Sequence, residues 1–334
     1  MPADGKAQGP VAAAHWQPEN GSVRCGLCPH CCLIARGQTG RCGVRRAREH
    51  GLVAEAYGRI SSLALDPVEK KPLYHFKPGA AILSVGSYGC NLRCSFCQNW
   101  TISQQRNFGT EMAPDAVARE ALAQEACGVA YTYNEPLINF EYVRDCAQAV
   151  RAAGLLNVLV TNGYISPEPC AELLPLVDAW NIDLKSIRED FYERMCGASL
   201  APVQATIRMA AARSHVEITH LVVTGGNDDL GQIAELAAWV ASVSPEIPLH
   251  LTRYYPQYQW EAPPTPPLLL EQAAELAKTK LTWVYLGNLG PRDDSVYCPQ
   301  CGETLVDRRG YDTLSMAVKG NACPRCSRRI PGVF

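Results

Sequence analysis

The sequence predicts an α/β protein built on a parallel sheet, and three observations carry that expectation. Six short apolar runs (81–85, 129–133, 157–160, 179–184, 216–223 and 249–252) recur along the chain, and 282–286 is a possible seventh. Between them lie segments such as APDAVAREALAQEA, LINFEYVRDCAQAVRAAG and LGQIAELAAWVASV, whose apolar residues repeat at three and four, the period of one helix face. The second to sixth runs end in polar stretches: YTYNEP, VTNGY, NIDLK, VVTGGND and LTRYYP. Strands alternating with helices pair in parallel through right-handed crossovers, so the sheet is doubly wound or barrel-like, and polar groups collect at the carboxyl ends of its strands. Asp115, just after Pro114, and Asp228 or Asp229 near Gly231 are the expected helix-start residues.

A chain of 334 residues with 47% hydrophobic content can hold one large domain with small appendages. Its formal charge of -2 provides no basic field to attract nucleic acid or an anionic membrane. No apolar run reaches membrane-span length, and the start MPADGKAQGPVAAAHW lacks a secretory h-region, so a cytoplasmic location is expected. The 16 cysteines decide more. Twelve fall into three tight groups at C-x2-C or C-x3-C spacing, which suits metal or cluster ligation in a reducing compartment. Cys127, Cys146, Cys170 and Cys196 stand apart among apolar neighbours and read as small core residues.

In chain order, residues 1–22 are rich in Ala, Pro and Gly and read as a disordered tail. Residues 23–79 form a knuckle and a connector. Cys25, Cys28, Cys32 and Cys42 give C-x2-C-x3-C-x9-C, four thiolates that suit tetrahedral zinc, the favoured occupant, or an iron–sulfur cluster. Cys31 is a spare or alternative ligand, and His30 reads as solvent-facing. In the connector, Lys70, Lys71 and His75 are either a solvated pair beside a packing histidine or groups at the mouth of a site.

Residues 80–290 hold the sheet, and the loop after its first strand, GCNLRCSFCQNW, dominates the chemistry. Cys90, Cys94 and Cys97 form C-x3-C-x2-C, and three thiolates on a four-iron cluster leave one iron open. Phe96 and Trp100 shield that loop.

This array, with an aromatic directly before its last cysteine, resembles the signature of radical S-adenosylmethionine (SAM) enzymes. GCNLRCSFCQNW followed by TISQ looks like the AmmeMemoRadiSam system radical SAM enzymes, related to the pyruvate formate-lyase activating enzymes, and the connector's DPVEKKPLYHF is similar to that subgroup's own. The resemblance runs over about residues 23–334 and implies a partial (β/α)6 TIM-type barrel. It implies a 4Fe-4S cluster at Cys90, Cys94 and Cys97, whose open iron takes the amine and carboxylate of SAM, and reductive cleavage of SAM to a radical that abstracts a hydrogen from substrate. Tyr133, Asn134 and Glu135 stand where the activating enzymes carry GGEP, with both glycines replaced; Asn162 resembles the TNG segment, and Asp183 and Lys185 the DLK segment. Gly225 lies in the counterpart of the VVPG turn, and Arg253 is the candidate anion contact beside a provisional Tyr255.

Residues 291–334 carry Cys298, Cys301, Cys323 and Cys326 as C-x2-C-x21-C-x2-C, a zinc-ribbon pattern with a structural role. Arg308, Arg309, Arg325, Arg328 and Arg329 around it read as a solvated basic surface. The expected partners are an electron donor such as flavodoxin or ferredoxin and either a glycyl radical enzyme or Memo-type and AMME-type proteins. Against the enzyme stands a binding protein stapled by metal, its cluster purely structural.

Overall fold

Seven parallel strands and one antiparallel neighbour make the central sheet of the computed structural model, which describes residues 11–105, 109–290 and 292–334. The antiparallel strand is β1 (Ser62–Pro67). The parallel ones are β2 (Ala81–Gly86), β3 (Gly128–Tyr131), β4 (Leu156–Thr161), β5 (Ala179–Asp183), β6 (His215–Val222), β7 (Leu249–Arg253) and β8 (Val284–Gly287). Six helices cross between successive parallel strands: α1 (Pro114–Ala123), α2 (Phe140–Ala152), α3 (Pro167–Leu173), α4 (Leu200–Ala211), α5 (Leu230–Val243) and α6 (Pro267–Lys278). Each strand pairs with its sequence neighbours, from β8 to β1 without reversal. A doubly wound sheet needs a point where the strand order reverses, so this sheet curls one way as a partial barrel of six βα units. The weak seventh run is β8.

The helices form where the periodic pattern places them. On α2 the buried positions Val143, Cys146, Ala147 and Val150 share one face, as do Ile233, Leu236, Ala237 and Val240 on α5. Asp229, one of the two expected starts, caps α5 by accepting the Gln232 amide at 2.9 Å. Asp115 is instead a first-turn acid: Pro114 occupies the first turn and Ala113 is the cap.

Two expectations, the tail and Arg308, are corrected by packing. The tail was expected to run to residue 22, yet Val11–Ala12 pairs with Gly51–Ala54, and Trp16–Glu19 with Ser22–Cys25. Residues from 11 onward therefore belong to the knuckle, because strand pairing satisfies backbone groups that composition cannot reveal; residues 1–10 lie outside the described residues. The connector supplies β1, whose alternating exposure marks a strand with one covered face. Arg308 is not solvated. It is fully buried where the ribbon docks on the barrel, donating to the Tyr74 carbonyl at 3.1 Å and to Glu69 at 3.4 Å, with its guanidinium 4.3 Å from the Tyr74 ring centre.

His75 plugs the amino-terminal end of the barrel. Its Nδ1 lies 3.0 Å from the Pro331 carbonyl, which can only accept, so Nε2 accepts from the Tyr285 hydroxyl at 2.6 Å. Burial drives its pKa down to about 4, and burial does the same to His220 on β6. Unfolding lets both return to their ordinary 6.5. Between these values the unfolded chain binds more protons than the folded one, so stability falls on acidification from 6.5 toward 4, by up to about 1.4 kcal/mol per pH unit for each histidine. Glu135 and Asp294, whose carboxyls burial pushes up to about 7 and about 6, act with the opposite sign in this range, so the histidine contribution is read as a difference: on acidification from 6.5 toward 4, thermal melts should show wild type losing stability relative to His220→Gln by up to about 1.4 kcal/mol per pH unit.

Candidate active site

The carboxyl ends of the parallel strands open on a cleft of about 330 Å3. Cys90, Cys94 and Cys97 line it from the loop after β2, and Asp183, Lys185, Thr219, Thr252 and Asn288 from the ends of β5 to β8. A larger groove of about 1050 Å3 between α6, β8 and the ribbon includes none of these groups, so volume is a poor guide to the site.

Donors approach two of the three sulfurs. The Leu92 amide and Asn162 Nδ2 reach Cys90 Sγ at 3.3 and 3.6 Å. The Cys196 carbonyl accepts the Arg93 amide at 2.7 Å, which sets the Cys196 thiol near Cys94; that thiol and the Lys185 ammonium pull the Cys94 pKa down, whereas burial pushes those of Cys90 and Cys97 up. Donors and positive charge aimed at sulfur favour thiolates, the form that ligates iron, so these residues fit a four-iron cluster. Buried Phe96, 5.7 Å from the Phe191 ring, helps close the loop against water, while Trp100 stacks on Tyr258 at 5.3 Å.

The end of β3 keeps a glycine-like path without glycine. Tyr133 has φ +73°, a conformation glycine adopts freely and a tyrosine at a cost of about 1 kcal/mol or more. Its hydroxyl donates to Asp66 at 2.7 Å and its ring carries Lys71 Nζ 4.7 Å from the centre, which holds the side chain in place. Lys71, expected as solvated or at the mouth, is buried and paired with Asp66 at 2.7 Å while lining the cleft; Lys70 lines it too, and His75 does not. Asn134 staples β2 to β3, accepting the Ser87 amide at 2.9 Å and donating to the Gly89 carbonyl at 3.1 Å.

Glu135 lines the cleft but spends its carboxylate on the chain. Oε1 accepts from the Leu137 amide and the Thr161 hydroxyl at 2.9 and 2.6 Å, and Oε2 accepts from the Asn162 amide at 2.8 Å. Burial outweighs these donors and pushes its pKa up to about 7. It organises the β3 and β4 ends and keeps lone-pair capacity for one further donor.

Asp183 and Lys185 face the cleft together, 2.9 Å apart, while Ile182 and Leu184 are buried in the core. Two expected site residues are not brought in. Gly225 does not line the cleft; a Cβ there would meet only Trp260, at 3.9 Å. Arg253 also falls outside it, donating to the Thr265 carbonyl at 2.7 Å and to Tyr255 at 3.1 Å. A loop at a strand end can turn away from the barrel axis, and motif order does not encode that turn.

Cys196 was read as core, and nothing in its spacing marks it; a π-type turn over Tyr192–Cys196 carries it to Cys94. Tyr311, on the ribbon hairpin, also lines the cleft, a placement that only docking of the ribbon decides.

In the ribbon, Sγ of Cys298, Cys301, Cys323 and Cys326 all lie within 4.8 Å of one another, compact enough for one tetrahedral ion. Cys301→Ser tests whether these thiols hold an ion: the expected result is one metal ion fewer per chain by elemental analysis and a lower melting temperature, since small domains that bind a metal draw folding free energy from it.

The sequence pattern of the Radical SAM superfamily matches residues 84–240. An uncharacterized protein of Methanocaldococcus jannaschii is 39% identical over 322 residues, spanning 93% of this chain and 96% of that one. The chain belongs to the radical SAM superfamily, whose members are enzymes and whose fold implies a 4Fe-4S cluster and SAM. More distant is the pyruvate formate-lyase 1-activating enzyme of Escherichia coli strain K12, 28% identical over 149 residues; the match takes in 42% of this chain and 61% of that enzyme. Among solved structures, Streptococcus suis SuiB bound to S-adenosylmethionine superposes with a TM-score of 0.50 at 14% identity, covering 67% of this chain and 53% of SuiB, a likeness of fold alone. Among the described residues no helix is long and apolar enough to cross a membrane.

Proposed function

We propose that this chain cleaves SAM reductively in the strand-end cleft and uses the cleavage to abstract a hydrogen from a substrate. One observation carries the reading: the three cysteines, with donors aimed at Cys90 and Cys94, share a cleft with the Asp183–Lys185 pair. A four-iron cluster with SAM, when bound, supplies one-electron scission of a carbon–sulfur bond and the hydrogen abstraction that follows.

The chain's own groups do the rest. Cys90, Cys94 and Cys97 would hold the cluster. Lys185 would meet the carboxylate of SAM and Asp183 its hydroxyls or amine, while the remaining capacity of Glu135 and the hydroxyls of Thr219 and Thr252 would be available to its polar edges. Asn162 and Cys196 stabilise the thiolates and tune their charge. The Gly225 turn and Arg253 have no part in this arrangement.

Two substrate classes fit. The relation to a pyruvate formate-lyase activating enzyme supports a glycyl residue of a partner enzyme; the likeness of GCNLRCSFCQNW to the AmmeMemoRadiSam enzymes supports a substrate met in the company of Memo-type or AMME-type proteins. A low-potential donor such as flavodoxin or ferredoxin and a reducing cytoplasm complete the proposal. Anaerobically reconstituted protein with dithionite and SAM should form 5′-deoxyadenosine, and a deuterated candidate substrate should pass its label into that product by mass spectrometry. No SAM cleavage after full reconstitution would favour a binding protein with a structural cluster.

A further inference from the structure

Tyr133 keeps φ +73° although an L side chain disfavours that hand, so its surroundings must hold it there. The residue that does so lies outside the cleft. Asp66, near the end of β1, is 5% exposed and is not among the lining residues. Three donors converge on its carboxylate: the Tyr133 hydroxyl at 2.7 Å, Lys71 Nζ at 2.7 Å and Lys70 Nζ at 2.9 Å. Burial opposes the charge, but Lys71, Lys70 and Tyr133 outweigh it and hold the Asp66 pKa below its ordinary value. A carboxylate only accepts, so the Tyr133 hydroxyl donates and the direction of its ring is fixed. The ring is also gripped by its neighbours. Lys71 Nζ stands 4.7 Å from its centre, and a Cβ on Gly86 of β2 would lie 2.8 Å from Tyr133 Cδ2, so only a glycine there lets the ring lie against the strand.

The residues after Tyr133 depend on this turn. Asn134 accepts the Ser87 amide at 2.9 Å and donates to the Gly89 carbonyl at 3.1 Å, which fixes the residue before Cys90. The knuckle fixes Gly89 as well: Cys25, Cys28, Cys32 and Cys42 line one small cavity, and a Cβ on Gly89 would lie 2.7 Å from the Cys42 carbonyl. One residue beyond Asn134, Glu135 accepts the Asn162 amide at 2.8 Å, and Asn162 Nδ2 lies 3.6 Å from Cys90 Sγ. A change of φ at Tyr133 would therefore swing Asn134 and Glu135 together and release both the cysteine loop and the end of β4.

We propose that Asp66 is a positioning residue for SAM: acting through Tyr133, it holds the left-handed turn that sets Glu135 and the Cys90 loop in the cleft. This rests on the reading that SAM binds there, and it assigns a role in that binding to a residue that does not touch the cleft. Two other roles for Tyr133 predict a different order of variants. If its hydroxyl touched SAM, or if its ring merely packed, Tyr133→Gly would bind SAM no better than Tyr133→Phe.

The test is equilibrium SAM binding by the full chain, anaerobic and cluster-loaded. Tyr133→Phe keeps the ring but loses the bond to Asp66, so the turn relaxes and SAM binding should weaken about tenfold. Tyr133→Gly loses more atoms yet adopts the turn without strain, and it should bind SAM at least about fivefold more tightly than Tyr133→Phe. Asp66→Asn should weaken binding as Tyr133→Phe does, and Asp66→Asn/Tyr133→Gly should regain most of the loss. Glycine no better than phenylalanine at position 133 would overturn the proposal, as would wild-type affinity in Tyr133→Phe. If Asp66→Asn does not fold, the two Tyr133 variants decide alone. Amide hydrogen exchange at Ser87 and Asn162, which bond Asn134 and Glu135, reads the turn without SAM. Both amides should exchange faster in Tyr133→Phe than in Tyr133→Gly, and equal rates would overturn the proposal. Lys185→Ala should weaken SAM binding with both amides protected as in wild type. If wild type itself binds no SAM, the cleft reading fails, and exchange still decides whether Asp66 holds the turn.

Discussion

Cys90→Ala, Cys94→Ala and Cys97→Ala should each reduce dithionite-driven formation of 5′-deoxyadenosine to background, a loss of at least roughly a thousandfold, and the triple substitution should lose no more than any single one. The three thiolates act as a unit, because a cluster missing one ligand has a second exposed iron and an altered charge. Their surroundings sharpen this expectation: Cys90 receives donors from Leu92 and Asn162, and the neighbouring Cys196 thiol lowers the Cys94 pKa. Cys196→Ala removes a donor to sulfur without removing a ligand, so it should retain the cluster and shift its reduction potential. Product assays with chromatographic quantification of 5′-deoxyadenosine read the first effect, and redox titration followed by electron paramagnetic resonance reads the second. Undiminished cleavage in the triple variant would remove the assignment.

Lys185→Ala should weaken SAM binding by about 10- to 100-fold, the worth of a charge-assisted hydrogen bond of roughly 1.5–3 kcal/mol, while iron content and circular dichroism stay as in wild type. The side chain is 15% exposed and lies 2.9 Å from Asp183, itself 36% exposed. An ordinary surface pair would contribute at most about 1 kcal/mol and would not line the cleft of the cysteines. Burial disfavours the charged ammonium, but Asp183 and the neighbouring Cys94 and Cys196 sulfurs outweigh it and hold the Lys185 pKa above its ordinary value. The ammonium is therefore charged when SAM arrives. Lys185→Arg should recover part of the affinity, since the charge remains and the geometry changes. Equilibrium binding to the anaerobic, cluster-loaded protein measures both; wild-type affinity in Lys185→Ala would mean that SAM's carboxylate lies elsewhere.

The strand-end residues show how far sequence reasoning reached. Asp183 and Lys185 were legible because strand alternation places residues two apart on one side, and both line the cleft. The GGEP counterpart was legible in position only. Its backbone still turns as glycine would, at Tyr133, but its carboxylate binds the Thr161 hydroxyl and two amides. Gly225 was taken into the site on the resemblance to the VVPG turn and Arg253 as a strand-end cation. Gly225 lies on the loop after β6, outside the residues that line the cleft, and Arg253, the last residue of β7, donates to the Thr265 carbonyl and Tyr255.

What the sequence determined by itself is local and periodic: six strands and a possible seventh from their apolar runs, helices such as α1, α2 and α5 from their repeats at three and four, and three cysteine groups from their spacing. Those features depend on contacts a few residues apart, or on a pattern that any parallel sheet satisfies. Only the tertiary structure decided that the order runs without reversal, that Cys196 meets Cys94, that Tyr311 reaches the cleft and that Arg308 is buried. Each of these is a contact between segments far apart in the chain. Such contacts are chosen by the packing of the whole core, and no single stretch of residues carries enough of that free energy to announce them.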